Sequence, residues 1–97
     1  MIRHLVLFKL NDGVGKDDER ALAGAKAFEE LGAQIPELRE WECGWNTTER
    51  DIAYDYAINS LVDDRAALQS YVGHPAHQAA AGQWREFATW VIADIEV

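Results

Sequence analysis

The segment IRHLVLFKL, residues 2–10, is a run of β-branched and large apolar residues that stops at the turn signal NDGVG, residues 11–15, and it reads as a strand. Side chains alternate across a strand, so His4, Val6, Phe8 and Leu10 share one face while Leu5 and Leu7 share the other. Both faces are apolar. Each face therefore needs cover, one from the chain itself and one from elsewhere.

Downstream, DDERALAGAKAFEELGAQI, residues 17–35, carries Leu22, Ala25, Phe28 and Ile35 at helical spacing. Asp17 or Asp18 is placed to cap its start, Gly32 lies near its end and Pro36 lies beyond it. LREWECGWN, residues 38–46, alternates Arg39, Trp41, Cys43 and Trp45 against Glu40, Glu42 and Asn46, a half-polar strand. After the turn TTERD, residues 47–51, a third strand is expected over IAYDYAINSLV, residues 52–62. Asp63 or Asp64 then opens a short helix, DRAALQSYV, closed by Gly73, and Pro75 suits the first turn of the helix PAHQAAAGQWREF, residues 75–87. The chain closes with a strand, TWVIADIEV, residues 89–97, with Val91, Ala93, Ile95 and Val97 opposing Trp90, Ile92, Asp94 and Glu96.

The order strand, helix, strand, strand, helical segment, strand is the βαββαβ pattern of an α+β, ferredoxin-like domain, here a single one over residues 1–97. One helical layer covers only one sheet face. With Trp41 and Trp45 read as a further apolar ridge, the uncovered face is expected to meet a second copy, forming a homodimer whose two sheets enclose a cavity.

Composition narrows the partners. A net charge of −8, with nine Lys and Arg scattered along 97 residues, would repel a phosphate backbone, so nucleic acid is not expected. No apolar run approaches the roughly 20 residues needed to cross a bilayer, and the N-terminus has too short an apolar core for a signal peptide. A cytoplasmic location without membrane association is the expectation, and the lone Cys43 agrees with a reducing compartment. Neither a nucleotide cofactor nor a metal is expected: NDGVGKDD lacks the spacing of a phosphate-binding loop, and the His74 and His77 pair is split by the proline with no accompanying zinc-hydrolase glutamate.

The chemistry-bearing stretch is YVGHPAHQ, residues 71–78. As a plain helix boundary, Gly73 ends one helix, His74 takes the extended conformation required before proline, and Pro75 starts the next. That account requires no histidine. As a site, His77 falls in the first turn of a helix, where the positive dipole end disfavours imidazolium and leaves a neutral ring able to accept a proton. Tyr71 could fold back across the bend and donate its phenol to a carbonyl or developing enolate. His4 joins such a site only if its strand face lines a cavity.

Together, the start IRHLVLFKL, the centre YDYAINSLVDDRAALQSY, the HPAHQ segment and the closing WVIADIEV resemble the stress-responsive A/B barrel domain family, or Dabb, over nearly the whole chain. The resemblance implies a ferredoxin-like protomer in a dimeric α+β barrel. It also implies a cofactor-free acid/base site, because a plant polyketide cyclase of the family closes its substrate by aldol condensation with a histidine and a tyrosine that align with His77 and Tyr71. A strand histidine of that enzyme aligns with His4, and a further cavity histidine aligns with Tyr56, a departure that argues for a different substrate. Phe8, Trp41 and His74 complete the expected substrate-binding set around His4 and Tyr56.

The leading expectation is thus a small organic molecule bound in the barrel pocket, with proton transfer next to a carbonyl supporting cyclisation or isomerisation. The alternatives are a non-catalytic stress-response or assembly protein, its interior filled by Trp41, Trp45, Tyr54 and Phe8, and a cofactor-independent monooxygenase.

Overall fold

The computed structural model describes residues 1–97. Its elements run β1 (Ile2–Leu10), α1 (Glu19–Leu31), β2 (Glu40–Trp45), β3 (Tyr56–Val62), α2 (Arg65–Gly73), α3 (Pro75–Arg85) and β4 (Ala88–Glu96). The expected order holds, and the sheet is antiparallel throughout in the order β2-β3-β1-β4.

Local chemistry sets the boundaries. Asp18 rather than Asp17 caps α1, accepting from the Arg20 amide at 2.9 Å, and Asp64 rather than Asp63 caps α2, accepting from Ala67 at 2.8 Å. Asp63 instead pairs with Arg39 at 2.9 and 2.7 Å. The first helix stops at Leu31, four residues short of the expected end, because Gly32 already caps it and the chain then turns. The third strand starts at Tyr56 rather than Ile52. Ile52 is exposed, and Asp55 draws the loop onto β1 by accepting from the Leu10 amide at 2.7 Å.

Register places the side chains. His4, Ser60 and Trp41 lie opposite one another, as do Val6, Ile58 and Cys43, and then Phe8, Tyr56 and Trp45. This is the face that the helices cover. Trp84 of α3 is wholly buried there, 4.7 Å from Phe8, 5.0 Å from Phe28 and 4.9 Å from Tyr56 between ring centroids. Gly24 lets α1 approach this ring, since a Cβ there would stand 2.7 Å from the Trp84 indole nitrogen.

The two strand tryptophans therefore correct an expectation. They belong to the covered face: Trp41 Nε1 donates to the Phe28 carbonyl at 2.9 Å, and Trp45 meets Tyr56 edge-on at 4.9 Å. The open face carries Leu5, Leu7, Ala57, Val91, Ala93 and Ile95 instead, beside a polar corner in which Arg3 bonds Glu40 at 3.2 Å and Asn59 at 3.1 Å. No helix is long and apolar enough to cross a membrane.

Candidate functional site

The cavity that gathers the candidate residues lies between the helices and the sheet of one protomer, on the covered face of the sheet. It measures about 170 Å³ and is floored by His4, Val6 and Phe8 of β1, Ile58 of β3 and Phe28 of α1. Tyr71, Val72, His77 and Ala81 form the helical wall, and Trp90 and Ile92 close the β4 side. Val72 and Ile92 are exposed as well as lining, so they mark the mouth.

Three polar side chains meet at one wall. Tyr71 sits between two histidines, its ring centroid 4.9 Å from that of His77 and 5.7 Å from that of His4, both edge-on. His4 is buried and its Nδ1 is paired with the Asp94 carboxylate, which lies directly across from it on β4. That pairing fixes the ring and leaves Nε2 as the nitrogen open to other partners.

The α2–α3 corner presents His77. His74 is at once the C-cap of α2 and the N-cap of α3, with the extended backbone expected before Pro75, and its Nδ1 accepts from the Ala76 amide at 3.1 Å. One residue thus turns the chain. The His77 Nδ1 lies 2.8 Å from the Val72 carbonyl, and because a carbonyl only accepts, that nitrogen carries the proton. Nε2 is left as the basic nitrogen. Burial holds the imidazole below the ordinary histidine range, with His4 and His74 adding to the lowering and the Val72 carbonyl opposing it. Desolvation is the main cause of the lowering, and it acts in the same direction as the helix-start argument.

Tyr71 is completely buried, and its hydroxyl lies near Ser60 without forming a well-aligned hydrogen bond to any protein group. The nearby Ser60 hydroxyl is directed to the His4 carbonyl at 3.3 Å. Burial pushes the phenol well above the ordinary tyrosine value; Ser60 offsets part of this and Asp94 adds to it. Tyr71 therefore remains a proton donor across the physiological range. A buried hydroxyl without a partner carries a desolvation cost of about 1–3 kcal/mol. Tyr71→Phe is expected to raise folding stability by about 1 kcal/mol in urea titrations while weakening the binding of carbonyl ligands. A destabilised Tyr71→Phe would show that the hydroxyl is bonded after all.

A family model described as "Stress responsive A/B Barrel Domain" matches residues 2–97. The chain belongs to the Dabb family. An uncharacterized protein of Streptomyces coelicolor is 69% identical over 96 residues, covering 99% of each chain. A dimeric ferredoxin-like protein from Bacteroides fragilis superposes with a TM-score of 0.84 at 30% identity, over 99% of this chain and 95% of that one. A hydroxynitrile lyase from Passiflora edulis superposes with a TM-score of 0.81 over 99% of this chain and 92% of that one, and at 16% identity the likeness is of fold.

Within this Dabb domain, the structure brings His4, Phe8, Tyr71 and His77 to the cavity wall and places Tyr56, Trp41 and His74 outside it. Tyr56 is buried among Phe8, Phe28 and Trp84, one step farther along the sheet, where burial raises its phenol far above the ordinary value. Trp41 supports Tyr71 edge-on at 6.0 Å, and the ring nitrogen His74 would offer is occupied in capping. Asp94, Val72, Ala81, Trp90 and Ile92 were not among the expected site residues. Asp94 carries a readable signal, an acidic residue on a strand face otherwise shared with Trp90 and Ile92. No group of three or more His, Cys, Asp or Glu side chains is arranged to hold a metal ion.

Proposed function

We propose that each Dabb cavity binds a compact, mostly apolar carbonyl compound and that His77 and Tyr71 move a proton next to its carbonyl group. The observation that carries this reading is the Tyr71 hydroxyl, buried without a well-aligned protein partner beside a His77 whose Nε2 is unprotonated. In the reaction, the C–H bond next to the carbonyl breaks, its electron pair becomes the double bond of an enolate, and the proton passes to His77 Nε2. Tyr71 donates a hydrogen bond to the enolate oxygen. Returning a solvent-exchanged proton to the same carbon gives exchange, returning the proton to the γ-carbon of a β,γ-unsaturated substrate gives isomerisation, and attack of the enolate on a second carbonyl of the same molecule gives aldol cyclisation.

Size supports a ring rather than an extended chain. An apolar cavity of about 150 Å³ holds one benzene ring. The 170 Å³ here suits one ring with a short ketone arm and is small for a folded polyketide. The test follows deuterium incorporation from D₂O into phenylacetone and cyclohexanone by NMR, in the presence of the protein. Exchange faster than in buffer is expected. Exchange at the buffer rate for both ketones, with no ketone shifting the His77 or Tyr71 resonances, would favour the assembly reading.

The same reading includes a homodimer through the open sheet face, supported by the exposed strip Leu7, Val91 and Ile95 and by the dimeric relative. The double variant Leu7→Glu, Val91→Glu is expected to sediment as a monomer where the parent chain sediments as a dimer. A parent chain that is monomeric at tens of micromolar would remove this part of the reading.

A further inference from the structure

We propose that Gln78 is a positioning residue: its amide anchors and shares the Val72 carbonyl on which the His77 ring is hung. Val72 is the next-to-last residue of α2, where helix carbonyls have no partner within the helix. Two side chains from the first turns of α3 fill that vacancy, His77 through Nδ1 and Gln78 through Nε2, each at 2.8 Å. Helix formation does not require this of Gln78. Its backbone N–H already donates to the His74 carbonyl at 2.9 Å, and the residue is otherwise exposed. An exposed glutamine spends rotamer freedom to hold such a bond, so the amide is ordered at the carbonyl that orients the ring.

Sharing has a chemical effect as well as a geometric one. A carbonyl that accepts from an imidazole N–H favours imidazolium, and it does so less when a second donor draws on the same oxygen. Gln78 thereby tempers the one neighbour that works against a neutral His77. The remaining titratable groups facing the ring are Tyr71 on α2, His4 on β1 with Asp94 behind it on β4, and His74 at the corner. None of them reaches the Val72 oxygen.

This inference rests on His77 as the base, but its test does not use turnover. The His77 imidazole is titrated by NMR in the resting protein, in the parent chain and in Gln78→Ala and Gln78→Met; the methionine keeps the side-chain length and removes the donor. Both variants are expected to raise the protonated-to-neutral ratio of His77 at fixed pH about threefold, the effect of perturbing one neutral hydrogen bond. A midpoint unchanged in both variants overturns the proposal. So does a lowered melting temperature with the midpoint unmoved, because that is the mark of a purely structural residue. If both midpoints rise while His77→Ala keeps full exchange activity, the positioning role stands and the base assignment falls.

Discussion

Replacing His77 by alanine is expected to lower ketone deuterium exchange by about 10²–10⁴-fold, the span a positioned general base contributes. His77 lines the cavity, and Nε2 is the nitrogen of its ring with a free lone pair, since Nδ1 is committed to the Val72 carbonyl. His4 lines the same cavity, and its Asp94-paired ring keeps Nε2 free, so it is the group that would carry any exchange left in His77→Ala. The pH profile should agree. Burial lowers the His77 value, so the exchange rate should hold as pH falls past the ordinary histidine value near 6.5 and decline only below it. Linkage gives the stability counterpart. Below about 6.5 the unfolded chain takes up a proton that folded His77 still refuses, so the parent chain loses stability as pH falls through that window. His77→Gln should lose this share of the acid sensitivity. A variant that keeps the parent exchange rate with its fold intact would remove His77 from the mechanism.

Trp84→Ala is expected to cost about 3–5 kcal/mol, the range for truncating a fully buried aromatic. For a domain of this size that is a large part of a total of about 5–15 kcal/mol. The indole fills the junction of α1, α3 and the sheet, within 5.0 Å of the rings of Phe8, Phe28, Tyr56 and Phe87. Gly24, whose missing side chain lets α1 approach the indole, has nothing with which to refill the space. Phe8 and Phe28 also line the cavity, so the loss should reach the ligand site. Urea titration reads the cost as a lower midpoint with an unchanged slope. Trp84→Phe should cost much less, since it keeps an aromatic ring and removes an indole N–H that has no partner. Equal losses in the two variants would mean that bulk at Trp84 is not what holds the junction.

Element order was legible because each strand declares its period and each helix its caps: Asp18, Asp64 and Pro75 sit where the cap chemistry requires. What stayed hidden is relational. Which face of β2 meets the helices depends on its register against β3, and the period-two pattern of residues 40–45 fits either side until Trp41 is set opposite Ser60. The same holds for Asp94, whose role exists only because β4 pairs with β1 at His4. At the α2–α3 corner, spacing alone brought Tyr71 and His77 into consideration. The hydrogen bond to Val72, which decides the tautomer, depends on how tightly His74 turns the chain.

The alternation of β1 has a consequence for descent. Even-numbered positions 4, 6 and 8 look into the cavity, while odd-numbered 5 and 7 look away from it across a single thickness of strand. Parity thus assigns the two proposed roles to separate codons within one short segment, the ligand wall to even positions and the contact between copies to odd ones. Because Val6 and Phe8 also belong to the buried core, exchanges at even positions are bounded by packing, whereas Leu5 and Leu7 are free of that constraint.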